Sequence, residues 1–100
     1  MIGKILNNGI TMEERTVTIR NKTGLHMRPA GEMVRIAARF DSEISITKDE
    51  LSVNGKSIIA VISLAAESGA AITIQADGED AQEAVDALVK MVESNFGEDE

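Results

Sequence analysis

The chain reads as an α+β domain in the order βαββαβα, a single sheet with helices packed on one of its faces. Three observations predict this. Four short segments, 16–20, 43–47, 51–53 and 71–76, alternate apolar and polar residues. Two longer segments each repeat apolar residues along one helical stripe. One hundred residues, 43% of them apolar, make one domain that can bury a core. Strands with one apolar face and helices with one apolar stripe satisfy each other when all the helices lie on one side.

The elements follow in order. Residues 1–14 form a flexible N-terminal extension of a domain over 15–97. Their apolar stretch is too short and too interrupted by Asn and Gly for a secretory signal. Met12, next to the first strand, offers an alternative translation start, which the intact mass of the native protein tests. The strand at 16–20 points Val17 and Ile19 inward, and residues 21–24 form a loop. A helix over 27–39 takes Pro29 in its first turn, where a missing N–H costs nothing, and buries Ala30, Met33, Val34, Ala37 and Phe40.

Strands 43–47 and 51–53 form a hairpin through Lys48-Asp49-Glu50, and Asn54-Gly55 breaks their pairing. Ser57 caps a helix over 58–66. This run is rich in β-branched residues, so propensity alone favours a strand. The lack of alternation, the cap before it and Glu67-Ser68-Gly69 after it favour a helix. The last strand, 71–76, points Ile72 and Ile74 inward. Asp80-Ala81-Gln82-Glu83 reads as a capping box with Asp80 as the cap of a helix carrying Ala81, Ala84, Val85, Leu88, Val89 and Val92. Residues 98–100 are a solvated acidic tail. Thr16, Thr18, Ser45 and Thr73 fall on the sheet face turned to water.

The composition excludes several classes of function. A net charge of −7 disfavours nucleic acid and anionic membranes as partners. No run of apolar residues is long enough to cross a bilayer. There is no cysteine, one histidine and no compact carboxylate cluster, so neither a disulfide nor a metal site is expected. No cofactor is expected. The absence of cysteine fits a reducing cytosol. Two Phe are the only aromatics, which makes the core aliphatic.

Chemistry concentrates at the single histidine, in Gly24-Leu25-His26-Met27-Arg28-Pro29-Ala30. His26 stands at a helix entrance, where free backbone N–H groups and the positive dipole end favour an anion. A neutral imidazole is a nucleophile. Beside Arg28 and such a helix end it has what accepting a phosphoryl group requires. The bland alternative, a surface or capping histidine, is the commoner case for a lone His.

Other positions carry paired readings. Ser57 is an ordinary N-cap or a phosphorylation site that gains about two negative charges at a helix N-terminus. Leu25, Met27, Ile58, Ile59 and Ile62 are an apolar docking surface or core residues. Met27 and Ile58 are the best candidates for exposure, and Ile62 for burial. Lys56 is a positive docking rim or a solvated lysine. A stand-alone enzyme is disfavoured. The chain has no nucleotide-binding Gly loop, no second candidate base beside His26 and little room for a deep pocket.

Residues Thr23-Gly24-Leu25-His26-Met27-Arg28-Pro29-Ala30 and Asn54-Gly55-Lys56-Ser57-Ile58 together resemble the HPr family, the histidine-containing phosphocarriers of the bacterial phosphoenolpyruvate:sugar phosphotransferase system. Val61-Ile62-Ser63-Leu64-Ala65 and Ile72-Thr73-Ile74-Gln75-Ala76-Asp77-Gly78 support the resemblance, which spans about 15–97. It implies an open-faced β-sandwich, a four-stranded antiparallel sheet with three helices on one face. It implies that His26 accepts a phosphoryl group on Nδ1 from phospho-enzyme I and passes it to an enzyme IIA domain, with Arg28 stabilising the phosphate.

It also implies that an HPr kinase/phosphorylase acts on Ser57, with a transcriptional regulator as a further partner. Leu25, Met27, Lys56, Ile58 and Ile59 would dock partners onto a cytoplasmic monomer. Such a protein is a phosphotransfer intermediate rather than a stand-alone enzyme. Its alternative is a regulatory paralogue, nitrogen-linked or Ser57-phosphorylated, with little part in sugar transport. Met27 stands where a small Ala or Thr is more usual, and Ile59 where Met is frequent. Both bear on which partners dock.

Overall fold

The computed structural model describes residues 4–5 and 11–98. The strands are β1 (Lys4–Ile5), β2 (Thr11–Thr18), β3 (Glu43–Lys48), β4 (Leu51–Asn54) and β5 (Ala71–Gly78). The helices are α1 (Met27–Ala37), α2 (Ile58–Ser63) and α3 (Ala81–Glu93), followed by a 3₁₀ turn, Asn95–Gly97. The sheet runs β1-β2-β5-β3-β4, and every neighbouring pair is antiparallel. The four expected strands are therefore present, with the two-residue β1 added at the outer edge of β2. α3 lies across β2 and β5, and α1 packs on α2 and α3. No helix of the described residues is long and apolar enough to cross a membrane.

The last strand in sequence is central in space. β5 inserts between β2 and β3, with Val17 opposite Ile72 and Ile46 opposite Ile74. Ile72, Ile74 and Ala76 of β5 are completely buried against the helices. They meet Met33 of α1, Val61 of α2 and Leu88 of α3 in one aliphatic core. Burying such a side chain is worth about 1.5–3 kcal/mol. That outweighs the few tenths by which each β-branched residue disfavours a helix, so α2 is helical although its sequence is Ile-Ile-Ala-Val-Ile-Ser.

The structure departs from the sequence reading at several boundaries. β2 starts at Thr11, not at 16, because β5 continues to Gly78 and offers backbone partners as far as Thr11. Residues 11–14 thus belong to the sheet, and Glu13 is buried. Residues 1–3 and 6–10 of the expected extension lie outside the described residues. α1 ends at Ala37, leaving Phe40 half-buried beyond the helix, and Ile36 joins the buried stripe in place of Val34.

α2 stops at Ser63 because Ala65 takes a left-handed conformation, φ 52°. Ala65 N–H donates to the Ile62 carbonyl at 3.0 Å, the position where helices favour glycine. Asp80 does not cap α3 with its side chain. Its carboxylate instead accepts the Asp41 N–H at 2.8 Å, the Ser42 N–H at 3.0 Å and the Ser42 hydroxyl. Ser42 is buried, where an unpaired donor is costly, so a charge-assisted bond there outcompetes the cap.

Two outcomes follow from these local departures. Ala65→Gly removes the Cβ that disfavours φ 52°, and after the entropy of glycine it stabilises by about 0.5–1 kcal/mol. A raised urea midpoint with an unchanged slope checks this. The Ser42 hydroxyl, helped by the Asp41 and Ser42 amides, holds the Asp80 carboxyl below the ordinary aspartate range. A depressed folded-state value means stability present at neutral pH and lost as the pH falls below about 3.9 and through the folded value. Asp80→Asn therefore costs about 1 kcal/mol at pH 7. The gap between the two proteins closes on acidification; a gap independent of pH would exclude this role.

Candidate functional site

The site is built where β2 hands the chain to α1. Ile19 N–H donates to the Ala70 carbonyl at 2.8 Å, and Gly69 N–H to the Ile19 carbonyl at 2.7 Å, which ties the end of β2 to the approach to β5. Residues 21–24 turn, with Gly24 N–H on the Asn21 carbonyl at 3.2 Å. Gly24 sits at φ +70°, and a Cβ there would lie 2.5 Å from the Ala66 carbonyl oxygen. Only glycine allows both the conformation and the approach. The next amide, Leu25 N–H, donates to that same Ala66 oxygen at 2.8 Å. The loop is thereby pinned to the turn after α2.

His26 follows as the N-cap residue of α1, in extended conformation, and its side chain makes no capping bond. Its imidazole is exposed to solvent. Its own N–H is taken by the Gly24 carbonyl at 2.9 Å, so it does not belong to the open amides of the helix end. Those of Met27 and Arg28 find no acceptor among the described residues, and Pro29 has none to offer. This helix end therefore presents two open backbone N–H groups and the positive end of an eleven-residue helix.

Arg28 is exposed but not idle. Its Nη1 donates to Glu98 Oε2 at 3.2 Å. Glu98 is not a solvated tail residue, as the sequence suggested; its other oxygen, Oε1, accepts from Asn21 Nδ2 at 3.1 Å. Asp99 and Glu100 lie outside the described residues. Glu98 is delivered by two successive left-handed residues, Asn95 and Phe96, both at φ 56°. Such positions cost of order 1–3 kcal/mol each. Burial of Phe96 in the core offsets that cost and folds the chain back onto α1.

The expected docking residues divide. Met27 is 65% exposed and Ile59 72%, so both present apolar surface to solvent. Ile58 is half-buried against the core, as is Ile62. Leu25 is a correction: it is 4% exposed and belongs to the core, because its N–H is pulled onto Ala66. Lys56 turns its ammonium to the Phe40 carbonyl at 2.7 Å, where it satisfies the chain end after α1 instead of forming a free rim. Ser57 Oγ accepts the Ala60 N–H at 3.2 Å and is the expected N-cap of α2.

Beside His26 lies an open depression of about 390 Å³, lined by Thr23, Leu25, His26, Met27, Ile62, Ala65, Ala66 and Glu67. Among the described residues no group of three or more His, Asp or Glu could hold a metal. Asn21 and Glu98 carried no signal in the sequence. One was an Asn in a loop and the other an acid near the chain end, and only the fold brings them together.

These features can be set against known proteins. The family described as "PTS HPr component phosphorylation site" matches residues 13–94. The phosphocarrier protein HPr of Cupriavidus necator is 40% identical over 89 residues, covering 89% of this chain and 100% of that protein. The HPr-like protein Crh of Halalkalibacterium halodurans is 49% identical over 82 residues, 82% of this chain and 98% of its own. The crystal structure of HPr-C-His from Thermoanaerobacter tengcongensis matches with a TM-score of 0.85 at 45% identity, covering 88% of this chain and 99% of that one. With its motifs, its fold and its match over most of the chain in agreement, this protein belongs to the HPr family of phosphocarriers of the phosphotransferase system.

Proposed function

We propose that His26 accepts a phosphoryl group on Nδ1 from phospho-enzyme I and passes it to an enzyme IIA domain. The observation that carries this is an exposed imidazole at the N-cap of α1, free of any capping bond and next to two open amides and Arg28. In the forward step the imidazole nitrogen forms a bond to phosphorus as the donor's own bond to phosphorus breaks, and the donor nitrogen keeps that electron pair. The reverse sequence hands the group on. Charge on the three phosphoryl oxygens is met by the amides of Met27 and Arg28 and by the guanidinium. Arg28 presents several donors in a plane, where a lysine offers a point charge.

Met27, which lines the depression beside His26, and the exposed Ile59 supply the apolar contact for both protein partners. The protein acts as a cytoplasmic monomer, which keeps this face open to each partner in turn.

A second activity is regulatory. Ser57 heads α2, at the same end of the molecule as Ile58 and Ile59. Its phosphorylation by an HPr kinase/phosphorylase adds charge at a helix N-terminus, which stabilises locally and alters docking of enzymes and of a transcriptional regulator. The likeness to a Crh protein keeps a mainly regulatory role as the alternative.

Two labelling reactions separate these roles. Phosphoenolpyruvate with enzyme I gives an acid-labile phosphate that His26→Ala abolishes. ATP with the kinase gives an acid-stable phosphate that Ser57→Ala abolishes. Acid-stable label alone would leave only the regulatory role. Arg28→Lys slows transfer from phospho-enzyme I about tenfold with the fold unchanged. An unaltered single-turnover rate would remove Arg28 from the mechanism.

A further inference from the structure

We infer that Asn21 is a positioning residue for the transfer, acting by anchoring the Glu98 carboxylate on Arg28. This rests on the reading of His26 as the phosphoryl acceptor. Asn21 is completely buried at the base of the His26 loop. Its Nδ2 donates to the Gly24 carbonyl at 2.9 Å and to Glu98 Oε1 at 3.1 Å, with a longer contact to Thr23 Oγ1 at 3.5 Å. Both neighbours are acceptors, so the amide nitrogen, not the oxygen, must face them. Asn21 Oδ1 points the other way, buried and without a donor among the described residues.

Holding the loop needs only one of the two N–H groups, the one on Gly24. The second is nearer to Glu98, at 3.1 Å, than to the loop's own Thr23 hydroxyl, at 3.5 Å, and Glu98 has no part in the loop. The bonds close a circuit. His26 N–H and Asn21 Nδ2 share the Gly24 carbonyl, Asn21 reaches Glu98, and the other Glu98 oxygen reaches Arg28 at 3.2 Å. Glu98 lies beyond residues 13–94, the segment the family match covers.

The consequence concerns the free energy of the phosphorylated form. In the resting protein the Arg28 guanidinium is already paired with an anion. A phosphoryl group on His26 must compete with Glu98 for the same guanidinium. By fixing one carboxylate oxygen, Asn21 holds the other at Arg28 and strengthens the competitor. Releasing Glu98, either by removing its charge or by removing its anchor, frees Arg28 and favours the phosphorylated state.

An equilibrium competition tests this. Equal amounts of wild type and variant, one of them ¹⁵N-labelled, share limiting phosphoenolpyruvate through catalytic enzyme I until exchange is complete. Mass spectrometry at neutral pH then reads the phosphorylated fraction of each. Glu98→Gln should be enriched in phosphate about two- to fivefold, the strength of a partly exposed ion pair. Asn21→Ala should shift the ratio the same way although it changes no charge, and should add nothing in the Glu98→Gln background. Asp86→Asn, whose carboxylate pairs with Arg15, should leave the ratio near one.

Three results overturn the inference: an inert Asn21→Ala, an Asn21→Ala effect equal in both backgrounds, or an Asp86→Asn shift as large as that of Glu98→Gln. If Asn21→Ala does not fold, Glu98→Gln alone decides, and no enrichment there overturns it. Labile phosphate missing from every protein, wild type included, instead overturns the phosphocarrier reading itself.

Discussion

Gly24 lies against the Ala66 carbonyl because it has no side chain, and the site is organised around that contact. A Cβ would sit 2.5 Å from the oxygen, and φ +70° is a conformation that other residues take only with strain. The contact lets Leu25 donate to the same oxygen, which drives Leu25 into the core and leaves His26 as the first residue that must point outward. The imidazole is thus presented by a loop that is fastened on both sides. A larger residue at position 24 would lift the loop off the turn after α2 and with it the start of α1.

Electrostatics at this end runs against the character of the whole chain. The protein carries a net charge of −7, yet its exposed His26 stands at a positive helix end with open amides, two residues from Arg28. Local fields within the first turn of a helix outweigh a distant net charge, which water and salt screen over about 8–10 Å. The same argument explains why Glu98 comes to Arg28. A guanidinium beside a helix N-terminus attracts any carboxylate the chain can bring to it, and the buried Phe96 brings one.

The frame that carries the site is rigid for ordinary reasons. β5 is the central strand and is completely buried on its helix face, so its register fixes both neighbours. Asp80 ties the start of α3 to the loop before β3, at the other end of the sheet from His26. Met27 and Ile59 can remain exposed because the core is filled without them.

Local pattern was enough to read much of this. Period-two alternation marked the four main strands, and the stripe from Ala81 to Val92 marked α3, because these elements bury one face and repeat regularly. His26, Arg28 and Ser57 could be singled out because their spacing relative to a helix start is itself a local property. What stayed hidden depends on contacts across long stretches of chain. The start of β2 at Thr11 depends on how far β5 extends. The burial of Leu25 depends on Ala66, and the direction of the Lys56 ammonium on Phe40. The circuit of Asn21, Glu98 and Arg28 joins residues about seventy positions apart. Hydrogen-bonding capacity is written in each residue type, but the choice of partner is made only when folding brings donor and acceptor within about 3 Å.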